Sequence, residues 1–218
     1  MATTATRLSW SPPSRGDPTV LVIARVRLSL VLRLIRATPA LPPAIAWFLG
    51  RALCVAIAKA DTFSLRSAAA PHQLAILLRM ARGRQRVVEL GTATGWTAAA
   101  FALADPTRVV VSCDPHIQQG RDRYLRLLQS STRARIELVR ATGVDAAAVN
   151  AHEIDLLFID SSHERQATVD EWHAWRPRLA PDALVVFHDC DHPGIARAIE
   201  DLGLSGQRQA GMFVWRVP

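Results

Sequence analysis

The sequence predicts an α/β protein: a Rossmann-like, doubly wound and mostly parallel sheet behind an N-terminal helical extension. Three observations carry this. From residue 61 onward, short apolar runs alternate with helix-length segments, the pattern of parallel strands joined by right-handed helical crossovers. The first apolar run ends in an acid and a glycine-containing turn that opens a helix. The second ends in another acid, Asp114, 19 residues after Gly95.

The first 60 residues differ in composition from the rest. They carry Arg7, Arg15, Arg25, Arg27, Arg33, Arg36, Arg51 and Lys59 against Asp17, which is 8 minus 1, or +7. Residues 61–218 hold 18 basic and 18 acidic residues and are neutral. The net charge of +7 therefore belongs to the extension, and the folded domain has no basic surplus with which to grip nucleic acid. Residues 1–18, rich in Ser, Thr and Pro, read as a disordered tail. Residues 19–37 read as an imperfectly amphipathic helix, with a strand reading of 19–28 left open by its β-branched residues. Pro39, Pro42 and Pro43 interrupt the pattern, and residues 44–60 read as a second apolar helix. Arg51 near its middle and its short length argue against a membrane span. Residues 19–60 are thus expected to pack on the domain or a second copy of the chain, or to lie on an anionic membrane surface. The widely spaced Cys54, Cys113 and Cys190 form no disulfide framework, and no secretory signal is evident. A cytoplasmic setting follows as the expectation.

The domain, residues 61–218, is then taken element by element. Helix is expected over Pro71–Arg82, strand over Arg86–Leu90, helix over Gly95–Ala104, strand over Arg108–Cys113 and one helix over Gln118–Gln129. Strand follows over Ile136–Arg140, a short helix near Val144–Asn150, strand over Ile154–Ile159 and helix over Arg165–Arg176. Strand over Ala183–Phe187, helix over His192–Leu202 and strand over Met212–Arg216 close the chain. Only about 15 residues follow the last helix, so a closing hairpin must be very short or lack a strand. Trp172 and Trp175 are expected in the core.

The segment VVELGTATGWT, residues 87–97, carries the cofactor signal. Glycine at the end of a first parallel strand lets a ligand approach the backbone, and the next helix offers unpaired N–H groups. An acid at the end of the second strand accepts hydrogen bonds from ribose hydroxyls in such folds. Dinucleotide sites use GxGxxG, whereas here the middle position is Ala93 and the spacing is GxxxG. Glu89 at the strand end would repel a diphosphate and suits a cationic ligand, such as the ammonium or sulfonium of S-adenosylmethionine.

These residues resemble motif I of class I S-adenosylmethionine-dependent methyltransferases, particularly the catechol and caffeoyl-CoA O-methyltransferase type. Residues 156–191, LLFIDSSHERQATVDEWHAWRPRLAPDALVVFHDCD, resemble the group that includes antibiotic-hydroxyl and rhamnosyl O-methyltransferases. The resemblance covers about residues 70–216. It implies that Glu89, Gly91, Thr92, Gly95 and Asp114 bind the cofactor, with Thr142 and Gly143 near the adenine and Asp160 at the same crevice. It also implies a small-molecule acceptor.

Polar groups cluster after the fourth and fifth strands: Asp160 and His163, then His188, Asp189, Asp191 and His192. Two mechanisms fit them. Asp160, Asp189 and Asp191 supply hard oxygen ligands for Mg²⁺, which would lower the pKa of the acceptor hydroxyl. Alternatively, His163 takes the acceptor proton as general base, with Asp160 beside it. Blander roles stand beside these: Asp160 as a strand-end cap, His188 as a structural histidine, and Asp191 and His192 as caps of the next helix. Two rival functions also stand, a nicotinamide-dependent oxidoreductase and a non-catalytic interaction protein whose working part is the extension.

Overall fold

The computed structural model describes Leu32, Arg36 and residues 40–218. The expected tail over 1–18 and most of the helix expected over 19–37 lie outside the described residues. The elements are α1 (Pro43–Ala58), α2 (Thr62–Ser67), α3 (Pro71–Met80), β1 (Arg86–Leu90), α4 (Trp96–Ala104), β2 (Val109–Cys113), α5 (Arg121–Leu125) and α6 (Ser130–Arg133). They continue with β3 (Ile136–Val139), α7 (Gly143–Val149), β4 (Ile154–Ile159), α8 (Arg165–Trp175), a 3₁₀ turn (Arg176–Arg178), β5 (Leu179–Phe187), α9 (Pro193–Asp201), β6 (Gln207–Gln209) and β7 (Met212–Arg216).

The seven strands form one sheet in the order β3-β2-β1-β4-β5-β7-β6. The first five are parallel, and β7 runs antiparallel to both β5 and β6. Both faces of the sheet are covered. One core contains Val87, Leu156, Phe158 and Val186 packed under α1, α3 and α4. The other contains Val88, Leu157, Val185 and Phe187 with Trp172, Trp175 and Ile199. Central strands buried on both faces read as unbroken apolar runs, which is why β1, β4 and β5 are legible in the sequence.

The structure bears on three of these expectations. The helix expected over Gln118–Gln129 is broken. Gly120 enters α5 in a left-handed conformation, and the chain leaves the helix after Leu125 so that Leu128 turns inward and is buried. The closing hairpin is complete but very short. Ala210 and Gly211, both at positive φ (53° and 76°), make the two-residue turn that such hairpins favour.

The boundary drawn at residue 61 does not separate two cores. Ile45, Phe48, Leu49, Ala52, Leu53 and Ala56 of α1 are buried in the same cluster as Phe101 of α4. The apolar face of α1 is thus used inside the protein, and its outer face shows Trp47, Arg51 and Cys54. No helix among the described residues is long and apolar enough to cross a membrane.

Candidate active site

The parallel strands end at one level. Past their last residues the ladder continues: Gly91 N–H donates to the Cys113 carbonyl (2.8 Å), Asp114 N–H to Val139 (3.0 Å), Asp160 N–H to Leu90 (2.9 Å) and His188 N–H to Ile159 (2.9 Å). Residues 91, 114, 160 and 188 therefore stand side by side at the carboxyl edge, where ligands bind in open α/β sheets. A cavity of about 810 Å³ opens there. Gly91, Ala93, Asp114, Thr142, Gly143, Asp160, Ser161, His163, Glu171, His188 and Asp189 line it, under a roof of Phe63, Arg66 and residues 67–70.

At the β1 and β2 ends, Asp114 organises the glycine loop. Its Oδ2 accepts the Ala93 N–H (2.9 Å) and its Oδ1 accepts the His116 N–H (2.8 Å). Each oxygen keeps a second lone pair for a ligand hydroxyl. Ala93 is held at φ 43°, a conformation that side chains other than glycine seldom take. Gly91 has φ 99°, and a Cβ there would overlap the Asp160 carbonyl.

The structure separates the residues expected at the cofactor. Gly91, Asp114, Thr142, Gly143 and Asp160 line the cavity; Glu89, Thr92 and Gly95 do not. Glu89 is buried beneath the loop, with its carboxyl against the Ser112 hydroxyl, which lies 2.7 Å from Thr92 Oγ1. Burial pushes the Glu89 carboxyl up to about 8; the Ser112 hydrogen bond opposes this, and Asp160 and Asp114 add to it. The Glu89 side chain lies beneath the loop and not in the cavity wall, where the strand-end position had suggested it. Its role is to tie β1, β2 and the loop together. Gly95, at φ 75°, caps α4 and packs against Leu125.

At the β4 and β5 ends, the chemistry-bearing groups converge. Nε2 of His163 lies 3.1 Å from Asp189 Oδ2. His188 Nδ1 lies 3.1 Å from Asp160 Oδ1 and 3.4 Å from Asp189 Oδ2. Burial alone would lower the His188 pKa, but the Asp160 and Asp189 carboxylates outweigh it and hold it above the usual histidine range. Asp189 takes a left-handed φ of 48°, which turns its carboxylate toward both histidines. The loop bearing His163 is pinned from behind: a Cβ on Gly194 of α9 would overlap the His163 carbonyl.

Asp160, His163 and Asp189 each offer a ligand atom, all within 4.8 Å of one another, a donor set that could hold a divalent cation. Asp191, expected as a third oxygen ligand, is not in this cluster. It is exposed and its Oδ1 pairs with Arg208 (3.2 Å), because the turn after β5 directs it toward β6. His192 caps α9 through its Nδ1, which accepts the Gly194 N–H (3.3 Å).

His188, expected either in the cluster after the fifth strand or as a structural histidine, lies beside both carboxylates. One site residue escapes the sequence reading. Glu171 lies within α8, where nothing in the local pattern marks it, yet it is buried in the cavity wall with its Oε2 accepting from Ser161 (2.6 Å). Burial holds its carboxyl above the usual range, opposed by the Ser161 bond and helped by Asp170.

Residues 88–190 match the model of a protein family described as a methyltransferase domain. The structure of a Bacillus cereus O-methyltransferase in complex with S-adenosylhomocysteine superposes with a TM-score of 0.61 at 16% identity, covering 78% of this chain and 90% of that one. The O-methyltransferase TomG from Streptomyces achromogenes, involved in tomaymycin synthesis and solved with S-adenosylmethionine, gives 0.56 at 18% identity, covering 69% and 82%. The TDP-rhamnose 3′-O-methyltransferase of calicheamicin biosynthesis gives 0.57 at 18% identity, covering 93% and 96%. No curated protein sequence matches the chain. The protein has the fold of these O-methyltransferases, and its cavity lies at the carboxyl ends of β1, β2, β4 and β5.

Proposed function

We propose that the protein transfers the methyl group of S-adenosylmethionine to a hydroxyl of a small-molecule acceptor. One observation carries this reading: a single cavity runs from Asp114 to the Asp160, His163 and Asp189 cluster. The first end suits a ribose and the second a hydroxyl that must lose its proton. The fold neighbours described as O-methyltransferases support the same acceptor chemistry.

Asp114 is the ribose ligand in this reading, with Gly91 and the turn Thr142–Gly143 as cofactor-facing backbone. The cofactor supplies an electrophilic methyl on a sulfonium. The protein supplies alignment and a base. With its Nε2–H donated to Asp189, His163 keeps Nδ1 unprotonated, and this nitrogen takes the proton of the acceptor hydroxyl. Asp189 then stabilises the imidazolium.

The ligand-atom cluster favours a second, metal-assisted form. Asp160, Asp189 and His163 would hold the cation, which would orient the acceptor oxygen and lower its pKa. Mg²⁺ is the expected ion, and the imidazole makes Mn²⁺ an equally suitable trial ion.

Calorimetric titration with S-adenosylmethionine and S-adenosylhomocysteine, with and without Mg²⁺ or Mn²⁺, tests the reading. Binding of both in the micromolar range is expected, with no heat from NADH. A folded protein that binds neither overturns it. A metal dependence confined to acceptor methylation identifies the assisted form.

A further inference from the structure

We propose that the outer face of α1, centred on Trp47 and Arg51, is a docking surface for the interface of an anionic lipid bilayer. Arg51 is the one charged residue among the 16 of α1. A helix that is apolar on every side normally has a partner on every side. Helix α4, which carries no charge, obeys this rule: residues 98–102 are all buried. Helix α1 obeys it on one side, through Ile45, Phe48, Ala52 and Ala56. On the other side Ala44, Trp47, Arg51, Cys54 and Ala58 recur at three- and four-residue spacing and are all exposed. Trp47 is 71% exposed. Among the described residues, Arg51 holds only one long hydrogen bond to the body of the protein, from Nη1 to the Leu127 carbonyl (3.4 Å).

The charge pattern says what covers this face. Residues 1–60 carry a net +7 and the rest of the chain is neutral, so the partner is anionic. It is also apolar: a nucleic acid would meet the cations but leave Ala44, Cys54 and Ala58 without a partner. An anionic membrane supplies both, with lipid phosphates at its surface and acyl chains just below. Tryptophan suits that boundary, because its ring is apolar and its N–H is a donor. An arginine one turn away reaches the phosphates while its stem lies along apolar surface. The pairing occurs twice: exposed Leu32 (44%) is followed four residues on by exposed Arg36, as Trp47 is by Arg51. Lys59, exposed just past α1, adds a further cation. At 16 residues α1 is shorter than the roughly 20 that a span requires, so it lies in the interface plane and does not cross it.

Flotation of the full chain with lipid vesicles tests this, using phosphatidylcholine alone and phosphatidylcholine with about 30% phosphatidylglycerol. The wild type is expected to float with the anionic vesicles and to bind the neutral ones more weakly by roughly 10-fold or more. Trp47→Ala should weaken binding to the anionic vesicles by roughly 10-fold and Arg51→Gln by roughly 5-fold. Thermal midpoints should change little, because both side chains are exposed. A folded wild type that floats with neither vesicle overturns the inference, and so does equal binding to both. Unchanged flotation of both folded variants also overturns it and assigns the membrane contact to residues 1–39. A dimer seen by light scattering and dissociated by Trp47→Ala, with no flotation of the wild type, overturns it and gives the face to a second copy of the chain.

Discussion

Gly91 sits directly against the Asp160 carbonyl, so the loop after β1 and the loop after β4 share one contact with no room for a side chain. The glycine that sequence patterns associate with ligand approach is thus required first by the protein's own backbone. Gly91→Ala meets two penalties, a φ of 99° and the overlap with Asp160. Strain of this kind costs about 1–3 kcal/mol, and overpacking adds a similar amount. A fall in thermal midpoint of roughly 5 °C or more is expected, together with loss of S-adenosylhomocysteine binding. Calorimetric scanning with and without the ligand checks both, and an unchanged midpoint would contradict the contact.

Asp114 performs two tasks, holding the Ala93 N–H and facing the cavity. Replacing it by alanine removes charge-assisted hydrogen bonds worth about 1.5–3 kcal/mol each. S-adenosylmethionine affinity should fall by on the order of 10–100-fold. Asp114→Asn, which keeps an acceptor for Ala93, should lose less. Titration of both variants distinguishes the ligand role from loop support.

In the proposed mechanism His163 is the base and the contact of its Nε2 with Asp189 orients the ring. His163→Ala should reduce kcat by roughly 100-fold or more, the range general bases contribute, with cofactor affinity unchanged. Asp189→Asn should lower kcat in the same direction. Single-turnover methylation of an accepted hydroxyl compound reads this. Equal kcat in wild type and His163→Ala would remove His163 as the base.

Glu89 makes stability depend on pH. Its folded pKa of about 8 lies above the ordinary value of 4.5, so the native state binds its proton more tightly than the unfolded chain does. Stability from this group is full below about 4.5 and is lost as pH rises toward about 8. Glu89→Gln, which keeps the shape and an oxygen that accepts from Ser112, should flatten the decline in thermal midpoint across that window. Parallel slopes for the two proteins would show that Glu89 is not the titrating group.

The order of elements was legible because the central strands are buried on both faces and are separated by helix-length segments. The periodicities of β1, β4 and β5 follow from that burial alone. Asp114, Asp160 and Asp189 were legible too, since in a parallel sheet every strand delivers its last residue to the same edge. The Gln118–Gln129 break was not legible: Leu128 leaves the helix for a pocket whose walls come from distant parts of the chain.

The sequence by itself determined the parallel architecture, the cofactor edge and the set of acids there, because these depend on local pattern and strand polarity. Tertiary structure alone decided which groups face the ligand. It buried Glu89 beneath the loop, sent Asp191 to Arg208, and brought Glu171 beside Gly143 and His188 between two carboxylates. The reason is physical: side-chain direction at a strand end depends on the turn's φ and on what packs behind it. Both are set by residues far away in the chain, such as Asp160 behind Gly91 and His163 behind Gly194.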